Sequence, residues 1–387
     1  MRRSSLAVTV LVLGSYFPIA RAEPPPPSSQ GGSPSTSQPT TAPAGAEEVT
    51  FRNENVTLAG TLSMPRGTGL YPAVVFVSGS GPQDRDGAMR VIPGYQPFVL
   101  LAGQLNRDGF AVLRYDDRGV GKSGGDYLDG TEQDFVNDAA AAVKYLRGRK
   151  EIHADRIGIL GQSEGGMIAA MVAAEDSRVA FVISLAGPAV KGYDLLLRQA
   201  ERSSLAEGMS KDEAAQVVEE ERRIFDLVLA KKWDDLKAVV HDTTLRRLKA
   251  LPAVKRTLIR AIVGDLEAIA EKKTAQSMNA FQSERYQFIL RHDTSEDWAR
   301  VSVPVLALFG ELDVQCDAAQ NKPALEAALA RGGNRNVTAI VIPTANHLFL
   351  QARSGGMSEY LTLSKKHFAP GTSETISEWL REKAIRK

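Results

Sequence analysis

The stretch Arg156–Ala174, RIGILGQSEGGMIAAMVAA, decides how the rest of the chain is read. An apolar run ends at Ser163, which Gly161 and Gly165 bracket, and a small-residue helix pattern starts at once. A strand that turns this sharply into a helix lifts its serine hydroxyl clear of the sheet, at the positive end of the helix. The Gly-x-Ser-x-Gly pattern alone is weak. With 33 glycines in 387 residues, chance supplies about 0.2 such matches, and a second copy exists at Gly121-Lys122-Ser123-Gly124-Gly125. Context separates the two. Ser123 follows a glycine-rich loop and precedes DYLDGTE, which starts no helix, so it reads as structural. Nor is GVGKS a phosphate-binding loop, because Asp116 stands where that motif needs its first glycine. Ser163 is the candidate nucleophile.

Outward from Ser163, strands and helices alternate. VTFRNENVTLAGTLSMP reads as two strands joined at Asn53-Glu54-Asn55, and YPAVVFVSGSG as a buried strand ending in glycines. PFVLLAGQLNRDG is an amphipathic helix stopped at Gly109, and FAVLRYDDRG another strand. TEQDFVNDAAAAVKYLRGR is a helix with an acidic first turn and a basic last turn, as the helix dipole favours. Continuous apolar strands alternating with helices predict an α/β fold, a mostly parallel sheet covered by helices on both faces.

The alternation stops near Ala189. Residues 190–298 read as successive charged helices, with Ala214, Val217, Val218, Phe225, Val228 and Leu229 on one face. Leu258, Ile259, Ile262 and Val263 form a second such face. Alternation resumes at VPVLALFG. The expected organisation is an α/β core of residues 48–189 and 299–387, interrupted by a helical insertion at 190–298.

The first residues look processed. Arg2 and Arg3 precede an apolar run, Leu6–Ala20, too short to span a bilayer comfortably, and Ala20-Arg21-Ala22 fits a cleavage site. Residues 1–22 are expected to be a signal peptide, leaving no stable membrane insertion after cleavage. Residues 23–47, rich in proline, serine and threonine, are expected to form a disordered linker. The expected location is exported, periplasmic or extracellular. The single cysteine, Cys316, rules out an intrachain disulfide. A net charge of +1 gives no field toward nucleic acid or anionic membrane, and no zinc-type Cys/His spacing occurs. No cofactor and no metal are expected.

A nucleophilic serine needs a base, and the base an orienting acid. Of His153, His241, His292, His347 and His367, only His347 follows a strand late in the chain, in TANHLF after VTAIVIP. It sits at the strand's C-terminal end, where open α/β sheets meet ligands. Asp313 lies three residues beyond the end of the strand VPVLALFG. Glu311 comes too early in the turn, and Asp317 reads as a helix cap. The developing oxyanion needs N–H donors. The first is the N–H of Glu164, and the second comes from Ser78-Gly79-Ser80-Gly81, assigned to Ser80.

VSGSGPQDRDG, RYDDRGVGKSGG, GQSEGG, RYQFILRHD, VPVLALFGELDVQ and NHLFLQARSGGMSEY, in this order, resemble the α/β-hydrolase superfamily. Within it the chain is similar to exported bacterial serine hydrolases of the dienelactone-hydrolase-like type, often assigned as carboxylesterases or acyl thioesterases. The resemblance runs roughly from Val49 to Arg386. It implies a triad of Ser163, Asp313 and His347, and a cap inserted after the sixth core strand. One departure is Ser78-Gly79, where many relatives in the wider superfamily carry His-Gly; that touches the oxyanion assignment and leaves the triad intact. Asp84, Arg85 and Asp86, and Asp116, Asp117 and Arg118, are expected to pin loops by ion pairing, with substrate contact the competing reading. Tyr286 and Phe288 are candidates for the acyl pocket, with packing inside the insertion the competing reading. The expected activity is hydrolysis of a small-molecule carboxylic ester through an acyl-enzyme. A thioesterase or peptidase using the same triad, and a binding protein on the same scaffold, are the alternatives.

Overall fold

The computed structural model describes residues 45–89, 92–363 and 367–383. The expected signal peptide, and the linker as far as residue 44, lie outside the described residues. Eight strands of the described residues form one sheet: β1 (Ala46–Asn53), β2 (Val56–Ser63), β3 (Tyr71–Val77), β4 (Ala111–Tyr115), β5 (Ile152–Gln162), β6 (Val182–Leu185), β7 (Val305–Gly310) and β8 (Val337–Ile342). Their order is β1-β2-β4-β3-β5-β6-β7-β8. β2 runs antiparallel to both β1 and β4, and every other pairing is parallel. β1 begins two residues earlier than the composition suggests. Ala46 and Glu47, expected in the linker, pair with Ser63 and Leu62. Pairing at a sheet edge uses backbone groups, so it continues past the last buried side chain.

The apolar strands are continuous because both faces are covered. Along β3, Ala73, Val75 and Val77 point to the core beneath α2 (Glu132–Arg147), α3 (Glu164–Glu175) and α11 (Ala318–Arg331). The alternate residues Val74 and Phe76 point to α1 (Pro97–Arg107) and α12 (Thr372–Lys383) on the other side. This is the two-residue period of a strand buried on both faces. α2 starts where its sequence allows: Thr131 accepts from the Asp134 N–H, and the Asp134 side chain accepts from the Thr131 N–H.

Between β6 and β7 lie seven helices: α4 (Gly192–Ala206), α5 (Lys211–Leu229), α6 (Trp233–Ala250), α7 (Ala253–Val263), α8 (Leu266–Gln282), α9 (Glu284–Arg291) and α10 (Thr294–Trp298). They carry a core of their own, including Leu197, Ile224, Phe225, Val228, Val240, Phe281 and Leu290. Of the second expected face in this block, Ile259 packs beside a smaller cluster around Leu248 and Leu266. The two passages between this block and the sheet are tied together. The Gly192 N–H donates to the His292 carbonyl at 2.9 Å, and Trp298 Nε1 donates to the Pro188 carbonyl at 2.9 Å.

Candidate active site

β5 runs straight into α3, and Ser163 is the residue between them, at φ 56° and ψ −123°. A side chain rarely adopts that backbone, which stores strain of order 1–3 kcal/mol and persists only where neighbours hold it. Here the Ser163 N–H donates to the Leu185 carbonyl at 2.8 Å, and the Ser163 carbonyl accepts from Gly166 N–H at 2.8 Å. The flanking glycines follow from close approach. A Cβ at Gly161 would run into the Gly165 carbonyl, and one at Gly165 into the carbonyls of Val77 and Ser78.

The structure brings three of the expected residues together. Ser163 Oγ lies 3.0 Å from His347 Nε2, and His347 Nδ1 lies 2.9 Å from Asp313 Oδ2. Asp313 is fully buried, and its other oxygen, Oδ1, accepts the N–H groups of Gln315 at 2.8 Å and Cys316 at 2.9 Å. An ionised carboxylate only accepts. The proton between Asp313 and His347 therefore sits on Nδ1, leaving the Nε2 lone pair facing the serine hydroxyl. The competing acids are occupied elsewhere. Glu311 accepts the Thr344 N–H at 2.8 Å, and Asp317 caps α11 while pairing with Arg198 at 2.6 Å. Ser123 is structural: its hydroxyl accepts the Ala59 N–H and donates to the Asp116 carbonyl.

Glu164 is the first residue of α3, so its N–H has no acceptor within the helix. A Cβ at Gly79, in the loop after β3, would crowd Gln162 and the Ser163 side chain, so the loop that carries Ser80 passes close to the elbow. Two acceptors hold this loop. Asp117 accepts the Ser78 hydroxyl at 2.6 Å and the Gln83 N–H at 2.9 Å, and the Tyr127 hydroxyl accepts the Gly81 N–H at 2.7 Å. Burial pushes the Asp117 carboxyl up to about 7 in spite of those donors. Of the six loop charges expected to form ion pairs, four do, and Asp84 and Asp117 instead accept neutral donors. Arg85 forks onto Asp116 through Nε and Nη2, at 2.9 and 2.7 Å, and Asp86 pairs with Arg114. Arg118 forks onto buried Asp138, at 2.8 and 2.9 Å. Asp84 accepts the N–H groups of Asp86 and Ala88 within its own turn.

Tyr286 and Phe288 are engaged in packing. Tyr286 is buried inside the helical block against Phe281, with ring centroids 5.1 Å apart. Phe288 stacks on His292 at 4.5 Å. The residue that reaches the site from α9 is their neighbour Arg285. It lines a narrow recess with Ser78, Gly79, Asp117, Tyr127 and Glu164. Arg285 Nη2 donates to Glu164 at 2.9 Å and Nε to Glu132 at 3.3 Å. All three side chains are more than nine-tenths buried. Burial, and then the Glu164 charge, push the Glu132 carboxyl well above the usual range. Burial also opposes the Arg285 charge, but Glu164, Tyr127 and Glu132 outweigh it and hold that group protonated. This trio is absent from the sequence-based reading. Arg285 opens RYQFILRHD, one of the stretches that carry the resemblance, but its residue type gives no sign of burial, and its partners lie 121 and 153 residues away.

Comparison with known proteins agrees with this fold. A family model described as serine aminopeptidase, S33, matches residues 93–353. The chain is 27% identical over 334 residues to the esterase EstD of Thermotoga maritima, covering 85% of this chain and 68% of the esterase. It is 32% identical over 150 residues to protein PA2218 of Pseudomonas aeruginosa, 38% of each chain. An esterase of Pyrococcus furiosus shares the fold, with a TM-score of 0.50 at 16% identity over 88% of this chain and 91% of that one. The α/β hydrolase GrgF of a Penicillium species gives 0.50 at 18% identity, over 88% and 98%. The family model covers more than half of the chain and spans the elbow, so this protein belongs to the S33 serine aminopeptidase family of the α/β-hydrolase superfamily.

Proposed function

We propose that the protein is a serine esterase that cleaves carboxylic esters through an acyl-enzyme, with Ser163, His347 and Asp313 as its triad. The observation that carries this reading is the unbroken chain of contacts from Ser163 Oγ through His347 to buried Asp313. Ser163 attacks the ester carbonyl as His347 Nε2 takes its proton, and Asp313 stabilises the imidazolium that forms. The N–H groups of Glu164 and Ser80 receive the oxyanion. His347 then protonates the leaving alcohol. Water, activated by the same histidine, releases the acid and restores the serine. The helical block acts as a cap that shapes the acyl side of the site and excludes water.

The family's description includes an aminopeptidase, which needs an acidic group free to receive a peptide's α-ammonium. The two carboxylates beside the oxyanion loop are already engaged: Asp117 by Ser78 and Gln83, and Glu164 by Arg285. That favours esters. The test is a panel of p-nitrophenyl esters of increasing chain length, a matched thioester and an aminoacyl p-nitroanilide, on wild type and Ser163→Ala. Ester turnover that dominates the panel and disappears with Ser163 is expected. Preferential cleavage of the anilide would overturn the ester reading in favour of the peptidase.

A further inference from the structure

The proposed oxyanion donors sit on two separate segments, the start of α3 and the loop after β3. Each must be held against a strained elbow. The Glu164 side chain leaves the residue that carries one of these donors, so anchoring its carboxylate restrains the start of α3. That anchor is Arg285 Nη2, at 2.9 Å. The same guanidinium lies over the rings of Phe135 at 4.1 Å and Tyr127 at 4.8 Å. Tyr127 in turn takes the Gly81 N–H, next to Ser80. One buried cation delivered by the insertion therefore touches the supports of both donors. Glu132, at the start of α2, closes the third side.

We propose that Arg285 is a positioning residue for acyl transfer, a clasp that ties the helical insertion to both halves of the oxyanion site. This rests on the esterase reading above. It also implies that α9 is fixed to the core, so that any opening of the insertion takes place in α5 to α8 and leaves the clasp closed.

Arg285→Met alone strands two buried carboxylates and invites unfolding. The informative variant is Arg285→Met combined with Glu132→Gln and Glu164→Gln, which removes the clasp and keeps the buried charge balanced. Thermal melting shows whether this variant is folded. The companion variant, Arg285→Lys, keeps a charge without the fork. The measurements are kcat and KM on p-nitrophenyl acetate, the inhibition constant of an aryl trifluoromethyl ketone, whose adduct carries the tetrahedral oxyanion, and fluorophosphonate labelling. The folded triple variant is expected to lose kcat by about 10- to 100-fold, short of the loss on removing a donor outright. KM should change little, ketone binding should weaken in step with kcat/KM, and Arg285→Lys should fall between the two. A triple or lysine variant that is folded and keeps wild-type kcat and ketone affinity overturns the clasp, as does one that changes KM alone. A wild type that takes no fluorophosphonate overturns the esterase reading itself, which distinguishes the two failures.

Discussion

Asp313→Asn is the exchange whose consequence the structure fixes most tightly. Oδ1 of Asp313 accepts two backbone N–H groups, from Gln315 and Cys316, at 2.8 and 2.9 Å. In the variant only the amide oxygen can occupy that place, because an NH2 there would face two donors. The NH2 must then face His347 Nδ1, 2.9 Å away in the wild type. A donor at that position forces Nδ1 to accept, and the imidazole proton moves to Nε2. Nε2 then donates to Ser163 Oγ and has no lone pair with which to take its proton. A wrong tautomer in an intact triad lowers kcat by on the order of 10⁴, about 5.5 kcal/mol of barrier. The assay is kcat on p-nitrophenyl acetate near neutral pH, with thermal melting to show that the variant is folded. Groups that act as one unit are not additive, so Ser163→Ala with Asp313→Asn should be no slower than Ser163→Ala alone. A folded Asp313→Asn enzyme within tenfold of wild type would refute the tautomer argument and remove Asp313 from the triad.

Three other outcomes follow from the same packing. Gly165→Ala drives a Cβ into the Val77 and Ser78 carbonyls, so melting should drop by the equivalent of about 2 kcal/mol or more, with fluorophosphonate labelling slowed in parallel. Ser123→Ala leaves the Ala59 N–H without its acceptor and should cost about 1–2 kcal/mol in denaturant unfolding while kcat holds. Glu221 is buried on α5, with Oε1 unpartnered among the described residues, and burial raises its pKa from 4.5 to about 7. A raised carboxyl binds more protons folded than unfolded, so its contribution to stability falls as pH rises from 4.5 toward 7. Glu221→Gln removes that penalty, and its melting temperature should match wild type near pH 4.5 and exceed it at pH 8, by the equivalent of about 1–3 kcal/mol.

The elbow was legible because its signal is local: an apolar strand, two glycines and a small-residue helix around one serine. His347 and Asp313 were legible as positions, since each follows a run that reads as a strand and loops at strand ends converge in a parallel sheet. The helical block stood out because the alternation of strands and helices stops near Ala189 and one helical pattern follows another. Other features left no local trace. Ala46 and Glu47 join β1 through backbone pairing, which composition does not report. Arg285 is one arginine among many in the block, and only the fold brings it to Glu164 and Glu132. The aromatic residues beside it, Tyr286 and Phe288, attracted the pocket assignment because apolar side chains near a re-entry point suit a lining. Tyr286 instead fills the interior of the insertion, and Phe288 stacks against His292.

The central claim is that Ser163 is an activated nucleophile, and intact-mass spectrometry after fluorophosphonate treatment tests it most directly. Wild type should gain one adduct and Ser163→Ala none. A folded wild type without an adduct, or an adduct that persists on Ser163→Ala, would contradict the account.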